Sequence, residues 1–242
     1  NIQLKKTTGK TSIQLHTGQH YEGDGEKFSI GLNRGIRINK DGFLNFSASY
    51  RYQARTMRGG QYSGTVYKNY PAGSSHTDSI FIKAQDDSIV KARKFNRKAA
   101  VDNVGNTQLT SMGILVNGGY NISDQLEVFL TAAINERKLE RKTGYLFPKN
   151  ARLVNLALYP DGFQAISKPN TVDFSVTAGV KGSIQNYWHW DFSSSYGSNA
   201  VTNHSINTNN ASQSYLGANA PTSFYTGKDI YKLLTNDFNV TK

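Results

Sequence analysis

Two histidines and a group of carboxylates are the residues of this chain whose types and spacing suggest chemistry. His16 and His20 lie four positions apart, a spacing that would place both on one zinc ion if the segment were helical. On a strand, four residues span about 13 Å, so a single ion cannot reach both side chains. Three acidic residues around two glycines resemble a calcium loop but lack its twelve-residue pattern, and an acidic loop tip is the alternative: Glu22, Asp24 and Glu26.

The sequence contains no convincing set of catalytic residues either. Asp86 and Asp87 are adjacent carboxylates without the convergent partners that a glycosidase pair needs, so we expect both to be solvated. The chain has no cysteine, which removes disulfides, thiol nucleophiles and cysteine-based zinc sites. The sequence therefore predicts a protein that is not an enzyme and that uses no metal and no cofactor.

The basic residues point to a surface rather than to nucleic acid. The net charge is +11, which suits phosphate binding, but no recognition helix or stacking motif surrounds the basic clusters, and we expect no nucleic-acid partner. The main cluster, interrupted by Phe95, would meet anionic lipopolysaccharide or an anionic substrate such as a ferric chelate, unless its loop is simply solvated. It comprises Lys91, Arg93, Lys94, Arg97 and Lys98.

The elements that must position these residues have a period of two. Apolar and polar side chains alternate as they do in two-faced strands, and the apolar residues of the strong runs hold even positions. Asp41-Gly42 marks a tight hairpin between the first two strong runs. With a run from Trp188 to Tyr196 and weaker runs at 12–21 and 234–241, the pattern predicts about eight strands. The strong runs are 28–38, 44–52, 112–122, 126–134 and 172–180.

Link lengths between the runs alternate between short and long. Outer-membrane barrels have short periplasmic turns and long extracellular loops, so this alternation favours an antiparallel transmembrane β-barrel. A soluble antiparallel sheet with one face in a core gives the same alternation, but its strands are usually shorter. The short links are 39–42, 123–125 and 183–187, and the long ones are 53–107, 136–171 and 197–233.

Aromatic and basic residues near the strand ends give the candidate contacts of such a barrel. Even-numbered aromatics would form the two membrane girdles. Arginines on or beyond the polar parity would face a plug or a ligand vestibule, or else pair with carboxylates of neighbouring strands, and loop tyrosines would stack on a sugar or an aromatic chelator. The girdle residues are Trp188, Trp190, Tyr120, Tyr50 and Tyr52, and the ligand-facing or plug-facing candidates are Arg51, Arg55, Arg58, Tyr62, Tyr70 and Tyr145.

A set of short motifs follows one another along the chain in a definite order. It includes Tyr21–Gly25 (YEGDG), Gly42–Ser47 (GFLNFS), Arg55–Arg58 (RTMR), Tyr159–Phe163 (YPDGF) and Pro221–Phe224 (PTSF). Together with Asn1–Lys5 (NIQLK), this order resembles the end of the plug domain and the first part of the barrel in TonB-dependent receptors of the Bacteroidetes type. Met57 stands where that family often has asparagine.

The resemblance implies both an architecture and a function. Residues 1–6 would end a plug domain, and residues 7–242 would supply about eight strands of a 22-stranded barrel. The protein would import a scarce nutrient (a siderophore, vitamin, oligosaccharide or peptide) by energy-coupled movement of the plug, in the cell outer membrane. Its partners would be membrane lipid and lipopolysaccharide, TonB through the plug region, and a surface lipoprotein.

Two other functions fit the same strand pattern. The first is a small outer-membrane barrel that does not transport and acts as a tether or an adhesin. The second is a secreted soluble β-protein, whose apolar parity would lie in a core rather than in lipid.

Overall fold

The computed structural model describes residues 4–184 and 187–242, and it has an all-β fold. Its strands form one antiparallel sheet. The sheet comprises β1 (Thr11–Gly18), β2 (Lys27–Ile38), β3 (Gly42–Gln53), β4 (Gln108–Ser123), β5 (Leu126–Leu146), β6 (Phe163–Ser167), β7 (Asn170–Ile184), β8 (Trp188–Ile206) and β9 (Ser223–Thr241).

The strands follow one another as in the wall of an up-and-down barrel. Each long strand pairs with the next along the chain, and short β6 lies between the far ends of β5 and β8. Within the described residues, β1 pairs only with β2 and β9 pairs only with β8, so these strands are the two edges of the sheet. The predicted antiparallel all-β fold is confirmed.

Strand register gives the sheet one apolar and one polar face. From β2 to β9 the principal pairings match even residues with even residues, as in Ile30 with Tyr50 and Ile114 with Ile134. Residues directly opposite in an antiparallel pair project from the same face. The even side chains therefore form a continuous apolar face, joined on β1 by Ile13 and Leu15. The prediction that the apolar parity occupies one face is confirmed.

Strand number and strand length differ from the sequence-based expectation. There are nine strands rather than about eight, because β6 breaks the link predicted at 136–171. The outer parts of β5, β8 and β9 extend beyond the alternating runs, so the loops are 147–162 and 207–222. Both faces of these outer parts carry polar residues, and nothing in the side-chain pattern marks them as strand. The short links agree with expectation, except that the turn predicted near Gln185-Asn186 lies outside the described residues.

The long loop between β3 and β4 is partly helical. It contains α1 (His76–Ala92) and a short 3-10 turn (Ala99–Val101), and a second 3-10 segment spans Ala211–Asn219 before β9. Ser75 caps α1 by accepting from the Asp78 backbone N–H, and the Asp78 carboxylate accepts from the Ser75 N–H in return. Among residues 4–184 and 187–242, every helix is too short or too polar to cross a membrane.

The long loops share a small core of their own, called here the loop core. Val66, Ala100 and Phe147 are buried at its centre. Partly buried aromatic and aliphatic side chains pack around them, so the loops between β3 and β4 and after β5 form one packed unit. The surrounding residues are Tyr62, Tyr67, Val90, Phe95 and Tyr145.

Candidate functional site

The polar face of the sheet carries a connected set of amide and hydroxyl side chains. The Asn33 amide donates to Asn45 Oδ1 at 2.5 Å and to Ser47 Oγ at 2.9 Å. Farther along the sheet, Thr177 and Ser195 are joined through their hydroxyls at 2.8 Å. Polar side chains that pair with one another on a face are stable there without an apolar core above them.

The N-terminal segment, residues 4–10, runs across this polar face before it enters β1. The Asn45 amide donates to the Thr7 carbonyl at 3.4 Å, and the Asn117 amide donates to the Lys5 carbonyl at 3.1 Å. Asn45 and Asn117 are consequently 1% and 5% exposed. The chain thus reaches the sheet from its polar side. Residues 1–3 of the predicted plug end lie outside the described residues.

Gly35 in β2 makes this crossing possible. The Gly9 N–H donates to the Gly35 carbonyl at 2.9 Å, and a Cβ built on Gly35 would lie 1.9 Å from the Thr7 carbonyl oxygen. No side chain fits at that distance, because the obstacle is backbone rather than the end of a flexible side chain.

We expect Gly35→Ala to displace the N-terminal segment and to destabilise the sheet by about 1–3 kcal/mol, the usual cost of overpacking. Gly31→Ala on the same strand is the matched control, since its Cβ would meet nothing nearer than Gln14 at 3.9 Å. The measurement is urea unfolding, together with protease cleavage in residues 4–10. Equal cleavage of the two variants would contradict the crossing described here.

Charged residues of the polar face form ion pairs between neighbouring strands. Lys181 lies 3.0 Å from Glu127, and Arg137 lies 3.1 Å from Asp173. Their side chains are between 23% and 50% exposed, so these pairs contribute little to stability. Their effect is to leave a mixed, nearly neutral lining rather than a field of one sign.

The acidic loop between β1 and β2 holds Arg58 rather than standing free. Asp24 receives two hydrogen bonds from the Arg58 guanidinium, at 2.5 and 2.9 Å, and a third from the Met57 N–H at 2.8 Å. Glu22 lies 3.2 Å from the same guanidinium. The loop therefore acts as a clip on the chain that follows β3. Arg58, a predicted plug or ligand contact, is engaged within the protein.

The hydrogen bond from Arg58 to Asp24 is the main reason that the pKa of Asp24 falls from 3.8 to about 2. Because the folded pKa is depressed, the clip contributes stability that is present above pH 4 and lost as the pH falls through 2. We expect Arg58→Gln to return the pKa of Asp24 toward 3.8, measured by NMR titration of the carboxyl carbon. A pKa of Asp24 that stayed near 2 in the variant would contradict the assignment.

The remaining ligand-facing candidates fall into two groups. Tyr62 and Tyr145 belong to the loop core, where Tyr62 stacks on Phe147 with ring centroids 4.2 Å apart and Tyr145 donates to the Asp161 carbonyl at 3.0 Å. Tyr70 is 47% exposed. The arginines lie elsewhere: Arg51 is exposed at the end of β3 and donates to Gln53 at 3.2 Å, and Arg55 is half-buried beside a cavity described below.

The basic cluster also contains two groups of residues, one that is paired within the loops and one that is exposed. Arg97 contacts the Asp87 carboxylate at 2.6 Å and donates to the carbonyls of Tyr62 and Gly64, and Arg93 pairs with Asp161. These two arginines therefore help to hold the loop core together. The other three are exposed and make no ion pair with the described residues: Lys91, Lys94 and Lys98.

Asp86 is the principal residue that sequence reasoning placed wrongly. It was expected to be solvated, but its side chain is 0% exposed. Its carboxylate accepts from the backbone N–H groups of Val66, Tyr67 and Lys68 at 2.7–2.9 Å, and Arg97 lies 3.8 Å away. The carboxylate thus supplies acceptors for a loop that has no strand partner. Its neighbour Asp87, with a half-exposed side chain, stays at the surface.

The aromatic residues predicted for the girdles occupy both ends of the apolar face. Trp188 and Trp190 begin β8, and Tyr120 lies near the end of β4, so all three are close to the short links. Tyr50 and Tyr52 lie at the opposite ends of the strands, beside the long loops. All five have even numbers and share the apolar face.

Several side chains that organise this site carried no recognisable signal in the sequence. Asn45, Asn117 and Gly35 lie within alternating runs, where nothing distinguishes them from other residues of the polar parity. A small residue opposite an asparagine, as Gly35 is opposite Asn45, is the one hint of a covering segment. No group of three or more histidine or acidic residues that could hold a metal occurs in the part of the chain that the structure describes.

Comparison of the chain with protein-family models gives no match, and comparison with curated proteins gives none either.

Proposed function

We propose that this chain forms part of the wall of an outer-membrane β-barrel in a TonB-dependent uptake receptor. The receptor imports a scarce nutrient, which is a siderophore, vitamin, oligosaccharide or peptide, and it does no chemistry on that nutrient. The single observation that carries the proposal is the two-faced sheet, with an uncovered apolar face on one side and a polar face crossed by the N-terminal segment on the other.

The apolar face is the first support. Large side chains stand open along it, including Ile114 at 54%, Leu130 at 44% and Phe238 at 66% exposure. An uncovered apolar surface of this extent is unstable in water, and lipid is the solvent that suits it. The long strands have 12–21 residues, which exceeds the 9–11 residues that a tilted strand needs to cross a bilayer.

The polar face is the second support. A barrel of eight or nine strands would have to fill its interior with side chains, burying ion pairs such as Lys181–Glu127. A wider barrel leaves them in contact with water or with a plug. The N-terminal segment approaches from this side, so a plug domain preceding it would lie inside the barrel, where TonB can act on it.

In this proposal the long loops face the outside of the cell. Lys91, Lys94 and Lys98 are the exposed cations available to lipopolysaccharide phosphates or to an anionic substrate. Tyr70 is the most open of the predicted stacking tyrosines. A surface lipoprotein partner would dock on these same loops.

Single cysteines in the otherwise cysteine-free chain test the topology. We expect Gly60→Cys, in the long loop after β3, to react on intact cells with a reagent that cannot cross the outer membrane. Asp124→Cys, in the turn between β4 and β5, should react only after the cells are opened. Gly60 tolerates the change because a Cβ there meets nothing within 4 Å. Labelling of Asp124→Cys alone on intact cells would overturn the orientation.

Energy dependence separates the receptor from the alternatives. Cells that lack the TonB machinery should still bind the nutrient at the surface but should fail to import it. A tether or adhesin would be indifferent to that loss. A secreted soluble protein would leave both cysteines unlabelled on washed cells, because it would not remain with them.

A further inference from the structure

A cavity of about 260 Å³ lies at the base of the long loops, and its lining residues are distinct from those of the loop core. Three pieces of chain enclose it: the residues after β3, the approach to β4, and the outer part of β5. Its lining is polar and charged, with Arg55 and Thr56 on the first piece, Asp102 and Asn106 on the second, and Arg141 on the third.

Hydrogen bonds of backbone N–H groups and one ion pair between side chains fix the walls of this cavity. The Thr56 N–H donates to the Asn106 carbonyl at 3.1 Å, and the Asn106 N–H donates to Thr56 Oγ1 at 2.7 Å. Gly105 has φ +140°, and a Cβ on it would lie 2.3 Å from the Thr56 carbonyl oxygen, so glycine is required for this approach. Lys142 ties β5 to the same loop through its ion pair with Asp102. The cavity therefore exists before any ligand arrives.

The charges around the cavity do not balance. Asp102 is matched by Lys142, and Glu140 is matched by Lys168 at 3.1 Å. Arg55 and Arg141 line the cavity without an ion pair to any of the described residues. Arg55 is half-buried and Arg141 is exposed, so the cavity has two cationic side chains that a ligand can reach from solvent.

We propose that this cavity binds a small, multiply charged oxyanion through Arg55 and Arg141. The planar guanidinium presents paired N–H donors that match the two oxygens of a carboxylate or phosphate group. Neutral sugars would leave both charges without a partner. The cavity volume limits the bound part to a group of about the size of citrate, below the usual volume of 300–1,000 Å³ for drug-sized ligands.

This site would give the proposed receptor a ligand class. Binding of the anion does not depend on the receptor assignment, whereas import of the bound anion rests on the proposed function. The test is titration calorimetry of the full-length protein in detergent with citrate, with trimethyl citrate as the uncharged analogue and pyrophosphate as the phosphate analogue. We expect citrate to bind and trimethyl citrate not to bind. Pyrophosphate binding in place of citrate would keep the oxyanion site and exchange the carboxylate for phosphate.

Variants connect the binding to the two arginines. Arg55→Gln and Arg141→Gln should each weaken citrate binding about ten-fold or more, because each removes a charge-assisted pair. Arg55→Lys should bind between the wild type and the glutamine variant, since it keeps the charge and loses the fork. Arg152→Gln, on an exposed residue of the loop after β5, is the matched control and should bind as the wild type does.

Three results would overturn the site. They are no binding of either anion to the wild type, unchanged binding when both arginines are replaced, and displacement of citrate by detergent-solubilised lipid A through the same arginines. The last would identify a lipid headgroup rather than a free solute. The cysteine labelling described above is independent of citrate, so failure of this site and failure of the receptor assignment are distinguishable.

Discussion

Arginine in place of Leu130 should destabilise the protein in a bilayer by about 2–4 kcal/mol, whereas arginine in place of Ser175 should change stability by less than about 1 kcal/mol. Leu130 is the central residue of the apolar part of β5, between Leu126 and Ile134, and it projects from the apolar face. At mid-bilayer depth a guanidinium loses its hydration. Ser175, on the polar face of β7, lies opposite Ala133 and Gly197 and has room for a long side chain.

The size of the Leu130→Arg effect on stability shows whether the apolar face contacts lipid or water. Leu130 is 44% exposed in the sheet itself, so Leu130→Arg would be close to neutral if the apolar face met water. The measurement is urea unfolding of the full-length protein refolded into lipid vesicles, followed by tryptophan fluorescence. Equal midpoints for the Leu130 and Ser175 variants would remove the membrane assignment.

Loss of the Asp86 carboxylate should have the largest effect on the long loops. Asp86→Ala leaves three backbone N–H groups without an acceptor, and among the described residues it leaves the partly buried Arg97 with the carboxylate of Asp87 alone. Removing one partner of a buried ion pair typically costs about 3–5 kcal/mol. We expect the loop core to open while the sheet stays folded, because α1 and its neighbours contact the strands at few places.

Hydrogen exchange at the amides of Val66, Tyr67 and Lys68 measures this effect directly. Their protection should fall by several orders of magnitude in Asp86→Ala, while the amides of β7 and β8 keep theirs. Asp87→Ala is the matched control, since its half-exposed carboxylate contributes about 1 kcal/mol or less. If the two variants exchanged alike, the buried carboxylate would not be what holds the loop.

The period-two pattern predicted most of the sheet because one face of each strand is apolar. The central strands begin and end within a few residues of the runs read from sequence, and the Asp41-Gly42 hairpin lies where it was expected. Past Ile134 in β5 the pattern fails. Arg137, Lys138 and Glu140 place charges on both faces there, so the side-chain pattern does not distinguish strand from loop.

Helix α1 was not predicted from the sequence, for a related physical reason. Asp86 is its only buried residue, so it has no apolar stripe to mark a period of 3.6. The capping box at Ser75 and Asp78 was the one signal that could have identified its start. The role of Asp86 was out of reach in any case, because charged residues are solvated by default and its partners are backbone groups about twenty positions away.

The sequence predicted which residues belong to the candidate site but not which of them pair with one another. Sequence parity placed Arg51 with the polar lining, and proximity to a strand end marked Arg55 and Arg58. Only the folded chain reveals that Arg58 is held by Asp24, across 34 positions, while Arg55 stays without an ion pair among the described residues. Such pairings depend on which loops meet, and an alternating pattern carries no information about that.

The N-terminal segment, which crosses the polar face of the sheet, also constrains the order in which the protein can assemble. Its hydrogen bond to Asn45 joins residues 38 positions apart, and that to Asn117 joins residues 112 positions apart. Asn45 lies in β3 and Asn117 in β4, so both hydrogen bonds can be in place only after β3 and β4 have paired and the loop between them has closed, and closing so long a loop is slow. The N-terminal segment is therefore fixed only after strands that follow it in the chain have paired, and it docks onto a surface that those strands form.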